Sequence, residues 1–330
     1  MVLFELLCQV AIFVLSMIVL AKSSDIVVDG TEKFARATRI GSLTAGFLLL
    51  SIVSNLPEIS VAFSAITAGT PEISIGNLLG SNIADLALVI GITAIIAPIA
   101  IVKKSFRKLI VILLLSSLIP LVLLGLSEMG MIVGVALIAA FVIFAVYSVK
   151  EKINLDLAKE TPAEVFGKVL SPLRSYKHDI LIGLGILLLI ISSRFVVWSA
   201  TTIAGIVGIS ESILGATVVS LGTIIPELSV SINGIRKKYY SLILGNGIGG
   251  CLTKVTLILG ILLLFSPDRM SMGSSMVLMS FLILSTVMVA AFMLTGKKID
   301  RKEGVALILL YVVFLLFTLG FQMTVIDLFS

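Results

Sequence analysis

Charge is scarce in this sequence. Of its 330 residues, 13% are Asp, Glu, Lys or Arg, while 58% are hydrophobic. A soluble domain carries roughly 25% charged and about 45–50% apolar residues. No water-soluble fold hides this much apolar surface, so lipid must solvate most of the chain. Cysteine is nearly absent as well. The two cysteines, Cys8 and Cys251, both lie in apolar segments, which argues against a disulfide framework and a CxxC metal site. The single histidine, His178, opens an apolar run and does not sit inside one. With no HExxH and no GxSxG, the usual constellations of an intramembrane enzyme are missing. The net charge of +5 does not point to nucleic acid, because the basic residues fall in short loops between apolar runs.

What is abundant is long apolar runs. A membrane-spanning helix needs about 20 apolar residues. Runs of this kind predict ten spans, at about 3–22, 37–65, 72–98, 106–125, 129–149, 178–200, 208–233, 240–265, 272–295 and 303–326. The first run lacks the basic start of a signal peptide and is read as a retained helix. The stretch 150–177 is long and polar enough to be a linker, so the chain divides into residues 1–149, a linker 150–177, and residues 178–330. Basic clusters at 22–39, 103–108, 150–177, 236–238 and 297–302 hold 21 of the 24 Lys and Arg, and the ten spans place all of them on one side. The positive-inside rule makes that side cytoplasmic, with both termini outside a cell (inner or plasma) membrane.

The two halves repeat one another. A shift of 169 lays residues 46–65 (GFLLLSIVSNLPEISVAFSA) on 215–234 (GATVVSLGTIIPELSVSING), with Gly46 on Gly215, Ser51 on Ser220, Pro57 on Pro226 and Glu58 on Glu227. Without a gap, the same shift lays Gly76-Asn77 on Gly245-Asn246, Gly80 on Gly249 and Gly91 on Gly260. Apolar residues match by chance in lipid-facing sequence; Gly, Pro, Glu and Asn in one register do not. Five spans per half is an odd number, so the second half enters the membrane from the opposite side. The expected architecture is an all-α polytopic membrane protein of two inverted five-helix repeats, with its site near the midplane on helices broken by Gly or Pro.

Glu58 and Glu227 fall in mid-span, each directly after a proline. An ionised carboxylate in hydrocarbon is costly, so an intramembrane acid is a functional candidate by default. Proline frees a carbonyl about four residues upstream, here of Val53 or Ser54 and of Gly222 or Thr223. Two carboxylates with freed carbonyls make an all-oxygen site suited to a hard cation such as calcium. Close helix packing accounts for the glycines of Gly76-Asn77-x-x-Gly80 and its counterpart; it accounts less well for Asn77 and Asn246 facing the acids. Asp85 and Lys254 are counterparts under the same shift. Lys254 reads either as a tethered cation filling part of an ion site or as a fixed salt bridge to Asp85, Glu58 or Glu227.

The segments SNLPEIS (54–60) with GNLLGSNIADLALVIG (76–91), and GTIIPELS (222–229) with GNGIGGCLTKVTLILG (245–260), resemble the two alpha repeats of the calcium/cation antiporters, the sodium/calcium exchanger superfamily. The resemblance, to its prokaryotic type, spans both halves. It implies a ten-helix inverted-repeat fold with both termini outside, and calcium held by Glu58 and Glu227 with backbone oxygens near Ser54 and Thr223. It also implies alternating access by sliding of the first helix of each half. The sequence departs from the family where hydroxyls line its monovalent-cation positions. Asn55, Ile224 and Gly250 replace three of them and only Ser81 remains, while the final acidic or amide position is Asp85 in one half and Lys254 in the other.

Three readings follow. The first is a calcium/cation antiporter with altered coupling, to fewer sodium ions or to protons. The second is a monovalent cation/proton exchanger in which Lys254 and an acid compete for protons. The third is a transporter fold kept as a sensor or scaffold. The implied partners are the lipid bilayer and inorganic cations, with no nucleic acid and no cofactor beyond the transported ions.

Overall fold

A computed structural model describes residues 2–37, 52, 54–100, 110–111, 113–119, 130–150, 176–236, 240–266, 272–295 and 298–329. Most of linker 150–177 lies outside these residues, as do Gly46, Ser51, Val53 and much of the predicted spans 37–65 and 106–125. What is described is nearly all helix. In hydrocarbon no water is available to backbone N–H and C=O groups, and a helix satisfies them within its own segment.

The first half contributes α1 (Val2–Ala37), α2 (Leu56–Ala68), α3 (Pro71–Ile96) and α4 (Gly130–Lys150). The second contributes α5 (Tyr176–Val207), α6 (Glu211–Thr223), α7 (Ile225–Arg236), α8 (240–265), α9 (Met272–Thr295) and α10 (Arg301–Phe329). Residues 110–111 and 113–119 are also helical, within the predicted fourth span. Where they are described, the predicted spans are mostly helix, with non-helical residues at Asn55, at 97–98, at 208–210 and at Ile224. Among the described residues, six helices are long and apolar enough to cross a membrane, or seven if the bent pair Glu211–Thr223 and Ile225–Ile232 is one span; α2 and Gly130–Val146 are shorter apolar helices.

The first helix is longer than hydropathy predicts. Hydropathy places its end near residue 22, whereas the helix runs unbroken to Ala37. Lys22 is a good helix former and Asp25 and Asp29 cost a helix under about 1 kcal/mol each, so these residues mark where the apolar run stops and not where the helix does. α1 packs lengthwise on α5, while its outer face exposes Leu3, Phe4 and Leu15, and that of α5 exposes Ile180 and Leu187. Exposed apolar faces of this kind suit lipid. α3 and α8 are the most enclosed of the candidate spans.

The offset of 169 reappears in the backbone. Pro71–Ala84 and Tyr240–Thr253 share it, as do the π-helical turns Asp85–Val89 and Lys254–Ile258 and the segments Ile90–Ile96 and Leu259–Phe265. The halves also interlock. A Cβ on Gly91 of α3 would stand 3.0 Å from the carbonyl oxygen of Gly304 in α10. A Cβ on Gly260 of α8 would stand 3.0 Å from that of Gly134 in α4. Each half's third helix thus lies on the last helix of the other half.

A two-residue strand after α3, β1 (Ile99–Ala100), pairs antiparallel with β2 (Lys298–Ile299) before α10, Ile99 facing Ile299. The pairing requires the connections after α3 and before α10 to lie at one membrane face, as the charge pattern expects. Asp300 and Glu303 then open α10 reciprocally: each carboxylate accepts the other's backbone N–H, at 2.8 and 2.9 Å. This is a capping box.

Candidate functional site

Helix breaks position the two glutamates. Asn55 forms the turn before α2, and Ile224 separates α6 from α7, where the axis bends by 42°. Both breaks precede a proline by two residues, Pro57 and Pro226. Proline has no N–H to lose in a helix's first turn, which is where it is tolerated. Glu58 and Glu227 consequently occupy the first turns of α2 and α7, where free N–H groups and the helix dipole favour negative charge. Of the carbonyls predicted to be freed, that of Val53 lies outside the described residues.

The π-helical turns supply the other two charged groups. Asp85 and Lys254 each open such a turn, a local widening that is frequent at functional sites. All four charged side chains are buried, with Lys254 and Glu58 at 0% exposure. Lys254 Nζ lies 2.7 Å from Asp85 Oδ2, 3.5 Å from Glu58 Oε1 and 3.9 Å from Glu227 Oε1. Of the three salt-bridge partners that sequence left open for Lys254, the structure brings all three to one ammonium.

Hydroxyls and amides surround this cluster in a symmetric pattern. Thr223 Oγ1 donates to Asn77 Oδ1 at 3.0 Å, and Ser54 Oγ makes the longer equivalent contact to Asn246 Oδ1 at 3.5 Å. These are the same contact made twice, since 54 and 223, and 77 and 246, are related by the shift of 169. Among the described residues the amide nitrogens of Asn77 and Asn246 and the carboxylate oxygens of Glu58 and Glu227 have no hydrogen-bond partner. Buried polar atoms are nearly always paired, so these atoms have capacity for a cation or its water. Asn55 is buried, and its Nδ2 would stand 3.5 Å from a Cβ on Gly250, an ordinary contact. Ser81 donates to the Leu78 carbonyl at 3.2 Å and so is held by its own helix.

Three residues at the site were not singled out from sequence. Asn82 Nδ2 donates to the Cys251 carbonyl at 3.4 Å, and Cys251 Sγ lies 4.0 Å from the Asn82 carbonyl. These residues are also counterparts under the shift, and counterparts that touch lie beside the axis relating the halves. Asp85 and Lys254 touch in the same way. Tyr311 of α10 brings a buried hydroxyl toward Ser220 and Asp85. A tyrosine in mid-span was the available signal, since its hydroxyl needs a partner when buried.

Among the described residues no three of His, Cys, Asp and Glu gather as a metal-holding group. The ammonium of Lys254 stands among the carboxylates instead, in a cluster of oxygen ligands of the kind hard cations prefer.

Comparison with known proteins accords with this architecture. The family model described as sodium/calcium exchanger protein matches residues 8–150 and 179–320. The chain is 30% identical over 305 residues to the putative antiporter CaxA of Alkalimonas amylolytica, covering 91% of this chain and 96% of that one. It is 27% identical over 337 residues to the sodium/calcium exchanger MaX1 of Methanosarcina acetivorans, covering 92% and 96%. Its fold matches the sodium-calcium exchanger NCX_Mj soaked with sodium and strontium, with a TM-score of 0.63 and 28% identity, over 93% of this chain and 98% of that one. The chain belongs to the sodium/calcium exchanger family of multi-pass membrane transporters.

Proposed function

We propose that this chain is a secondary active antiporter that moves calcium, or a related cation, across the cell membrane in exchange for sodium or protons. The cation is held at a midplane site between the two halves by Glu58 and Glu227, with Ser54, Thr223, Asn77 and Asn246 around them and Asn55, Ser81, Asp85 and Lys254 adjoining. One observation carries this reading. Equivalent helix breaks bring both glutamates, from opposite halves, to a single buried ammonium. Carboxylates lodged in a protein interior at this cost favour a positively charged ligand. Alternating access exposes the site first to one face and then to the other, with the linker 150–177 cytoplasmic and both termini outside.

Calcium flux into vesicles holding the purified chain tests this. Uptake of radioactive calcium should follow an imposed sodium or pH gradient and stop when that gradient is collapsed. The absence of calcium movement under either gradient would refute the proposal.

Lys254 favours a second reading, that of a monovalent exchanger or a decoupled sensor or scaffold. Its ammonium lies within 3.9 Å of all three carboxylates, where a decoupled protein would keep a permanent substitute for the ion. No flux with any cation, and calcium flux restored by Lys254→Asp, would select the decoupled sensor or scaffold.

A further inference from the structure

Four charged side chains meet at the centre of the molecule, and their charges do not cancel. Among the described residues, Glu58, Asp85 and Glu227 are the acidic members of this cluster and Lys254 the basic one. Cys251 and Tyr311, the other ionisable groups beside the cluster, are uncharged in their ordinary forms. With all four groups ionised, the site has two negative charges left over.

From this we infer that Lys254 sets the exchange ratio: the site carries one divalent cation in one direction and two monovalent cations in the other, and the cycle moves no net charge. The inference rests on the antiporter reading above and deepens it.

The physical argument concerns desolvation. A charge in a low-dielectric interior is tolerated when it is paired, so the site crosses between its two accessible states most readily when its charges balance. A divalent cation balances the two remaining negative charges, and so do two monovalent cations. Without an ammonium, three carboxylates would call for a third monovalent ion when calcium is absent and would retain one uncovered charge when calcium is bound. Lys254 takes the place of that third ion permanently, because its side chain is anchored in α8 and held to Asp85 at 2.7 Å. The cost appears elsewhere in the site. Asn55, Ile224 and Gly250 offer no hydroxyl, and the one at Ser81 is turned to its own helix. Fewer monovalent ions need fewer ligands.

Voltage separates this from its alternative. One net charge moved through 100 mV changes an equilibrium gradient by about fifty-fold. Purified full-length protein is reconstituted into vesicles, the potential is set by potassium and valinomycin, and the calcium gradient sustained by a sodium gradient is measured at 0 and −100 mV. Paired radioactive sodium and calcium fluxes give the ratio directly, and a pH-gradient arm with proton flux repeats the measurement if sodium drives nothing. The expected result is two monovalent ions per calcium and no change in the sustained gradient with voltage. Lys254→Arg keeps the charge and should keep voltage independence in whatever flux it supports. Lys254→Gln removes the charge and should introduce voltage dependence with a third monovalent ion. A wild-type ratio of three with an approximately fifty-fold voltage shift overturns the inference while leaving the antiporter standing. A wild-type protein that moves no calcium overturns both. The wild-type measurement decides even if Lys254→Gln does not fold.

Discussion

At the scale of single residues, stability and function meet at Lys254. Removing one partner of a buried ion pair costs about 3–5 kcal/mol because the other charge is left uncompensated. Lys254→Met leaves three buried carboxylates without their cation, so it should lower the thermal midpoint in detergent sharply. Adding Asp85→Leu to Lys254→Met should recover much of that loss, since both members of the 2.7 Å pair are then apolar. A loss in the double variant equal to the sum of the two single losses would show that the pair is not coupled. Much of this site was legible in the sequence. Glu58 and Glu227 stood out because an acid after a proline in mid-span has no inexpensive structural role, and because each occurs at the same place in its half. The three acids around Lys254 were legible too, but not that Asp85 lies nearest, because a lysine stem reaches in any direction. Asn82, Cys251 and Tyr311 were hidden for another reason. Tyr311 is a lone polar residue in an apolar run, Asn82 and Cys251 lie among other polar residues of their segments, and only the packing of two helices reveals what each meets.

At the scale of elements, the halves are joined by close backbone contact. A Cβ added to Gly76 would strike the Ser212 carbonyl, and one added to Gly80 the Ala216 carbonyl, both in α6. Overpacking typically costs about 1–3 kcal/mol, and backbone cannot move aside as a side chain can. Gly80→Val should therefore lower the melting midpoint or prevent recovery of folded protein. Gly183→Ala, where nothing lies within 4 Å, should stay within about 0.5 kcal/mol of wild type. Equal behaviour of the two variants would contradict the packing. Helix positions were readable because twenty-residue apolar runs leave little choice of structure. The end of α1 was not, since hydropathy reports contact with lipid and helix propensity does not stop at Lys22. Nor were the π-helical turns at Asp85 and Lys254 visible, because one extra backbone residue in a turn has no signature in residue type.

At the scale of the whole molecule, membrane sidedness is the outstanding expectation. The strand pair places the connections around Ile99 and Ile299 together, and the charge pattern groups both with the linker. In a background with Cys8 and Cys251 replaced by serine, Lys298→Cys and Lys159→Cys should react with an impermeant maleimide from the cytoplasmic side. Ala68→Cys, at the exposed end of α2, should react from the outside. Labelling of Lys298→Cys and Ala68→Cys from the same side would overturn the orientation. The central claim, that Glu58 and Glu227 together hold the transported cation, has its most direct test in calcium flux through Glu58→Gln and Glu227→Gln, each purified, confirmed as folded and reconstituted beside wild type. Loss of a charged ligand at a buried site costs about 3–5 kcal/mol, so each single variant should lose a hundredfold or more of calcium uptake at limiting concentration. Wild-type uptake by either variant would contradict the account.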